Sequence, residues 1–283
     1  MKAKVTVVIL AYNERLHIRR CVENVRRVAQ EVFVVDCHST DGTQEIARAC
    51  GATVVEHDWP GNQAEQLNWA LENLPITGDW VLRLDADEYL TEALIAELQA
   101  RLDTLPGEVA GVSFPRDVVF LGRKLRFGMP PVVLLRLWKR GKATCENRKM
   151  DEHMVLTEGT VEVFSGHFVD HNLNNLLWWT QKHLGYAQRE MGDIQERAFA
   201  QGALAGQAAR KRRVKGLYVR LPLFWRAAGY FVYRYFIRLG FLDGKPGFLW
   251  AFLQAWWYRT LVDALLYEDS LKGGMIGDDT PNT

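Results

Sequence analysis

The stretch Val5-Thr6-Val7-Val8-Ile9-Leu10-Ala11-Tyr12-Asn13-Glu14 sets the fold. Its first six residues form a nearly unbroken β-branched run, the composition of a parallel strand buried on both faces. A helical pattern follows, with Leu16, Cys21, Val22, Val25 and Val28 on one face. Val32 to Val35 reads as a second short buried strand ending at Asp36. Ser39-Thr40-Asp41-Gly42-Thr43 reads as a turn feeding a helix over about Gln44 to Cys50, which Gly51 stops. Thr53-Val54-Val55 is a third strand, Gln63 to Leu74 a helix, and Trp80 to Leu84 a fourth strand that runs into Asp85-Ala86-Asp87-Glu88. Leu94, Ile95, Leu98 and Leu102 mark one more amphipathic helix. The alternation predicts an α/β fold, a mostly parallel sheet flanked by helices.

In such sheets ligands bind at the carboxyl ends of the strands. Glu14, Asp36, Asp41, Asp85 and Asp87 all follow strand ends. Two carboxylates at i and i+2, Asp85 and Asp87, suit a hard divalent cation that also binds substrate phosphates. Such an ion neutralises a departing diphosphate. On its own the tripeptide also fits a solvated turn that caps the next helix. Asp36, at the end of a different strand, is placed to accept hydrogen bonds from a ribose or a base edge. No GxGxxG or GxxxxGK[ST] is present, so a glycine-rich phosphate cradle is not expected.

After Pro106 the pattern is mixed, with strand-like Gly111-Val112-Ser113-Phe114 and Val132 to Trp138. From about Asn174 it turns helical. The chain of 283 residues, 48% hydrophobic and 24% charged, is long enough for a large domain with an appendage. The division expected is 1–205 for the catalytic domain and 206–283 for a basic, aromatic helical region. The net charge of +1 hides an asymmetry: from Arg210 to Arg259 only Asp243 opposes a run of cations that begins Arg210-Lys211-Arg212-Arg213. Neither Leu217 to Ile237 nor Gly247 to Leu266 can span a bilayer, because Arg220, Arg226 and Arg234 interrupt one and Arg259 and Asp263 the other. Interleaved arginine and aromatics, Trp225, Tyr230, Trp250 and Trp256 among them, suggest helices lying in the headgroup layer against anionic lipid. The same pattern also fits helices packing on the catalytic domain or on a second subunit. A nucleic-acid partner is not expected, since no recognition motif accompanies the basic stretch. Cys21, Cys37, Cys50 and Cys145 form no CxxC pair and no signal peptide precedes them, so free thiols in a reduced, cytosolic compartment are expected.

Four motifs carry a resemblance: Thr6 to Glu14, Val34 to Thr43, Asn68-Trp69-Ala70-Leu71 and Leu84 to Glu88. Together they resemble the family 2 glycosyltransferases of GT-A fold, in order and spacing, over about the first 90 residues. The resemblance implies an inverting transfer from a nucleotide-diphosphate sugar, UDP-linked for preference. It implies that Ala11, Tyr12, Glu14, Asp36 and Asp41 line the nucleoside site, that Asp85 faces ribose and metal, and that Asp87 ligates the metal, Mn²⁺ or Mg²⁺. The second half, with Arg136-Leu137-Trp138, Met150-Asp151-Glu152-His153-Met154 and Leu239 to Phe248, resembles the branch that builds lipopolysaccharide core or exopolysaccharide. That branch implies a lipid-linked saccharide acceptor and a place on the cytoplasmic face of the bacterial inner membrane, peripheral or monotopic, with oligomers possible. An inverting transferase needs a general base near the acceptor hydroxyl. Glu152 is the favoured candidate and Asp151 the other. His171 is a candidate to complete the metal shell or touch the diphosphate, and Arg136 to pair with diphosphate or sugar. Two alternatives are a nucleotidyltransferase on a similar sheet and a protein that binds a nucleotide-sugar without turnover.

Overall fold

The structure, a computed structural model, describes residues 3–146, 153–199, 218 and 221–275. It divides into two compact units, residues 1–124 with 130–174, and residues 125–129 with 175–283. The expected boundary at 205/206 lies outside the described residues.

The first unit is built on a ten-stranded sheet and carries a second sheet of two strands. Its opening strands are β1 Val5–Ala11, β2 Glu31–Asp36, β3 Thr53–Glu56 and β4 Trp80–Asp85, joined by helices α1 Ile18–Val25, α2 Thr43–Ala49 and α3 Gln63–Asn73. These four strands are all parallel, in the order β3-β2-β1-β4. Side chains alternate across a strand, and both faces of β1 are covered. Val7 and Ile9 pack with Ile18, Cys21, Val22 and Val25 of α1. Val8 packs on the other side with Ala64, Leu67 and Ala70 of α3. That is why β1 tolerates no polar alternation. Leu16 lies before α1 and is half exposed, and the helix stops at Val25, so the face is shorter than the spacing predicted.

Beyond β4 the sheet departs from the parallel expectation. The chain continues through β5 Glu88–Leu90, helix α4 Glu92–Arg101, β6 Val109–Phe120, β7 Arg123–Leu125, β8 Val133–Lys139, β9 Ala143–Cys145, β10 Met154–Leu156, β11 Thr160–Val163 and β12 Phe168–Asp170, with β9 and β10 paired antiparallel in a separate two-stranded sheet. β8 runs antiparallel to both β4 and β6. β12 lies parallel to β6 and antiparallel to β5. The sheet is therefore mixed. Such pairings join segments far apart in sequence, which local periodicity does not register.

The second unit is helical: α5 Leu176–Phe199, α6 Trp225–Val232, α7 Gly244–Ala251 and α8 Tyr258–Met275. π-helical segments Tyr233–Ile237 and Phe252–Trp257 follow α6 and α7. Its interior is partly polar. Arg226 and Asp263, both buried, pair at 2.5 Å, and Asp263 also accepts from the Phe224 amide. Glu190 accepts from Arg259 at 2.6 Å and from the Tyr258 hydroxyl at 2.7 Å. Among the described residues no helix is long and apolar enough to cross a membrane. All four cysteines are free thiols.

Candidate functional site

Parallel register brings the predicted residues to one edge. On β1, Ala11 stands level with Asp36 of β2, and Leu10 stands level with Asp85 of β4. Asp36 and Asp85 therefore flank β1, about 10 Å apart at a strand spacing near 4.8 Å.

Three loops meet at this edge. The loop after β1 and the loop after β2 are tied by reciprocal bonds. The Asn13 amide donates to Ser39 Oγ at 2.7 Å, and the Thr40 amide to Asn13 Oδ1 at 3.0 Å. The Glu14 amide donates to Thr43 Oγ1, and the Arg15 amide to Asp41 Oδ2. Asn13 and His38 hold positive φ of 55° and 60°, and Gly42 holds 92° just before α2. Left-handed backbone is costly for residues other than glycine and persists where the surroundings fix it. Here the cross-loop bonds do so.

Asp36 is fully buried. Its carboxylate accepts from the Ser39 amide, the Ser39 hydroxyl and Gln44 Nε2 at 2.5–2.7 Å. Asp41 accepts from the Thr43 amide and hydroxyl. Burial works against its charge, but the bonds from Thr43 and Arg15 overcome it and hold the carboxyl below its usual range. Both aspartates thus shape the loop as well as facing it. Glu14 is paired with His17 at 2.5 Å, and His17 Nε2 accepts from the Leu173 amide, which assigns the ring proton to Nδ1. Ala11 is buried, whereas Tyr12 is 61% exposed at the rim.

The third loop carries Asp85, Ala86, Asp87 and Glu88, and the segment after β12 clamps it. Arg20 of α1 donates through Nη2 to the carbonyls of Asp87 (2.9 Å) and His171 (2.7 Å), and through Nη1 to His171 Nδ1 (3.2 Å). The His171 amide donates to the Asp87 carbonyl, and Asn172 Nδ2 donates to Asp87 Oδ2 at 3.0 Å. Burial, Arg20 and His17 lower the His171 pKa, against the pull of Asp87. With Nδ1 accepting from Arg20, the proton resides on Nε2.

The charges here are dense. Arg136 is buried and its Nη2 pairs with Glu88 at 2.6 Å and approaches Asp85 to 3.6 Å; Arg83 lies 3.3 Å from Asp85. Burial pushes Glu88 up to about 8, against the pull of Arg136. Asp170, half-buried at the end of β12, is pushed up to about 6 by burial and by the charges of Asp87 and Asp85, with Arg116 opposing. Asp85 and Asp87 thus lie close enough to Asp170 to disfavour its charge.

This donor set fits Mg²⁺ or Mn²⁺ in one mode. Among the described residues no three His, Cys, Asp or Glu side chains already form a ligand cluster. Among these residues no all-protein cage is formed. A cation that uses one or two carboxylates, waters and substrate phosphates fits, and it would relieve the repulsion felt by Asp170.

The structure thus brings Asp36, Asp41, Asp85, Asp87 and His171 to the same edge. It buries Arg136 against Glu88, beneath that edge. Asp151 and Glu152 lie outside the described residues. Sequence reasoning missed Arg20, His17, Asp170 and Asn172. Asp170 carried the same signal as Asp36, a carboxylate ending a short apolar run, Phe168-Val169. Arg20 gave none, since its role depends on a strand some 150 residues away.

Residues 6–160 match the model of the family described as glycosyl transferase family 2. A lipopolysaccharide core biosynthesis glycosyltransferase, LpsC of Rhizobium meliloti, is 28% identical over 173 residues, covering 56% of this chain and 60% of that protein. An uncharacterized glycosyltransferase of Rickettsia conorii is 40% identical over 96 residues, 34% of this chain and 33% of that protein. The chain thus spans between a third and 60% of the length of these relatives. A crystal structure of glucosyl-3-phosphoglycerate synthase from Mycobacterium tuberculosis, with Mn²⁺, UDP and glucosyl-3-phosphoglycerate, is 23% identical, with a TM-score of 0.32. It covers 41% of this chain and 44% of that one. At that score the overlay says nothing of this chain's ligands.

Proposed function

This chain belongs to glycosyl transferase family 2, and from that premise we propose that it is an inverting hexosyltransferase. The donor is a nucleoside-diphosphate sugar, UDP-linked, and the acceptor is a lipid-linked saccharide. The reaction takes place at the cytoplasmic face of a bacterial inner membrane. One observation carries the proposal: Asp85, Asp87 and Asp170 converge on the strand edge that also holds Asp36. The likeness to LpsC supports an acceptor from lipopolysaccharide or a related polysaccharide.

The strained, cross-bonded loops after β1 and β2 form a rigid seat for the nucleoside, with Tyr12 at its rim. Preorganised loops bind without paying to order themselves. Asp85 and Asp87 would hold the divalent ion, whose chemistry is to neutralise charge on the leaving diphosphate. Arg20 and Asn172 fix the position of Asp87. His171 presents an N–H from Nε2 as a donor for a phosphate oxygen. In the transfer, the acceptor oxygen bonds to the anomeric carbon as its bond to the diphosphate breaks. The acceptor proton passes to Glu152 or Asp151, a role that rests on the resemblance alone.

Asp87→Ala tests the proposal. We expect metal-dependent transfer to fall by about 100-fold or more, with the fold retained by circular dichroism. Full activity in this variant refutes the metal role. Product analysis separates the alternatives: released nucleoside diphosphate marks sugar transfer, and released pyrophosphate marks nucleotidyl transfer.

A further inference from the structure

The second unit carries an apolar surface that its own packing does not cover. Ile237 is 67% exposed, Phe236 54%, and Leu242 47%. Single exposed apolar residues need no explanation, but a contiguous patch does. Here contiguity is measurable. Tyr235 contacts the rings of Phe236 (5.0 Å), Phe248 (5.5 Å) and Phe241 (6.2 Å). Phe248 meets Phe252 at 6.1 Å, and Phe252 meets Trp256 at 6.0 Å. Phe231 lies beneath, 5.2 Å from Trp256 and 6.4 Å from Phe248. One aromatic surface therefore runs from Phe236 to Trp256. An open cleft of about 430 Å³ is set into it, lined by Tyr235, Phe241, Phe248 and Leu249, with Lys245 among its walls.

Along the stretch that forms this surface the solvent-exposed charge has one sign. Between residues 221 and 257 the only carboxylate is Asp243. It is buried and accepts from the amides of Arg126 and Phe127. Arg226 and Arg234 are buried as well. What reaches solvent is Lys245 and the half-buried Arg238, one of whose Nη atoms donates to the Met129 carbonyl at 3.0 Å. A two-fold contact with a second copy would set cations against the same cations, with no acid to pair them. Anionic headgroups would pair them, and indole and phenyl rings sit favourably at the depth just below such headgroups.

We propose that the aromatic surface from Phe231 to Trp256 is a docking face for an anionic phospholipid bilayer. The surface lies flat in the interface and does not cross it. Lys245 and Arg238 meet lipid phosphates, and the cleft beside Lys245 receives an acyl chain. The inference rests on the membrane-surface reading above only for its choice of partner. Its test involves no sugar transfer, so a chain that binds vesicles and transfers nothing refutes the activity and not the surface.

The experiment is vesicle co-sedimentation of the full chain, with phosphatidylcholine alone and with added phosphatidylglycerol. We expect binding to the anionic vesicles, about tenfold stronger than to the neutral ones, and Lys245→Glu to abolish that preference. The double variant Ile237→Asp, Leu242→Asp is expected to lose at least about tenfold in binding with unchanged melting temperature, since both side chains face solvent. Should that variant unfold, quenching of wild-type tryptophan fluorescence by brominated lipid reads the same contact, and no quenching overturns the proposal. Three other results also overturn it: wild-type chain left in the supernatant with anionic vesicles, equal binding by the double variant, or substitutions that split a dimer in sedimentation velocity while vesicle binding persists.

Discussion

Replacing Arg136 by methionine isolates the buried charge beneath the active edge. The Arg136 side chain is 7% exposed and that of Glu88 2%, with 2.6 Å between Nη2 and Oε1. The guanidinium also lies 5.0 Å over the Phe168 ring. Removing one partner of a buried pair costs about 3–5 kcal/mol. Burial pushes Glu88 up to about 8 despite the pull of Arg136, so at neutral pH it already holds its proton most of the time and less of that cost applies. The expected loss at neutral pH is therefore near the lower end, about 3 kcal/mol. The double change Arg136→Met, Glu88→Leu removes both charges and should return to within about 1–2 kcal/mol of wild type. Urea unfolding followed by circular dichroism gives both values, and UDP titration calorimetry gives the third quantity needed. If Arg136→Met unfolds like wild type yet binds UDP at least about tenfold more weakly, the structural account is wrong and Arg136 is a diphosphate ligand.

Two further outcomes follow from the helical unit. His183 is buried, donates from Nδ1 to the Trp179 carbonyl, accepts at Nε2 from Gln254, and is pushed down to about 4 by burial. Its folded pKa lies below the unfolded value of 6.5, so the unfolded chain binds the proton first. Stability is intact above about 6.5 and falls by about 3 kcal/mol as the pH drops towards 4; urea midpoints of wild type and His183→Asn that run parallel over this range would contradict it. Asp263→Ala leaves Arg226 buried without its carboxylate and the Phe224 amide without its acceptor, and should cost about 3–5 kcal/mol; a loss under about 1 kcal/mol would mean the pair contributes little.

The parallel strands were legible because each is a short apolar run closed by a polar strand end, and in β1, β2 and β4 burial on both faces favours that composition. Asp36 and Asp85 reach the same edge because β2 and β4 both run parallel to β1 and end level with it. Glu88 was not legible. It reads as one more acid in an acidic run, and its burial depends on pairing with Arg136, 48 positions later. Nor was β12, whose three residues are too few to show a period. Asp36 and Asp41 looked like ligands alone, yet hydrogen bonds give each a structural duty inside its loop. Those bonds join residues two to eight apart, but only the folded turn makes them visible.

The short strand β5 owes its pairing to β12, which lies between it and β6. During synthesis the first four strands can associate as soon as Asp85 has left the ribosome. The acidic loop cannot, because its fixing strand emerges some 80 residues later. A nascent chain halted near residue 160 would have Asp36 and Asp85 at their strand ends but nothing from beyond β12 to hold Asp87, so the loop takes its final form late in the making of each molecule.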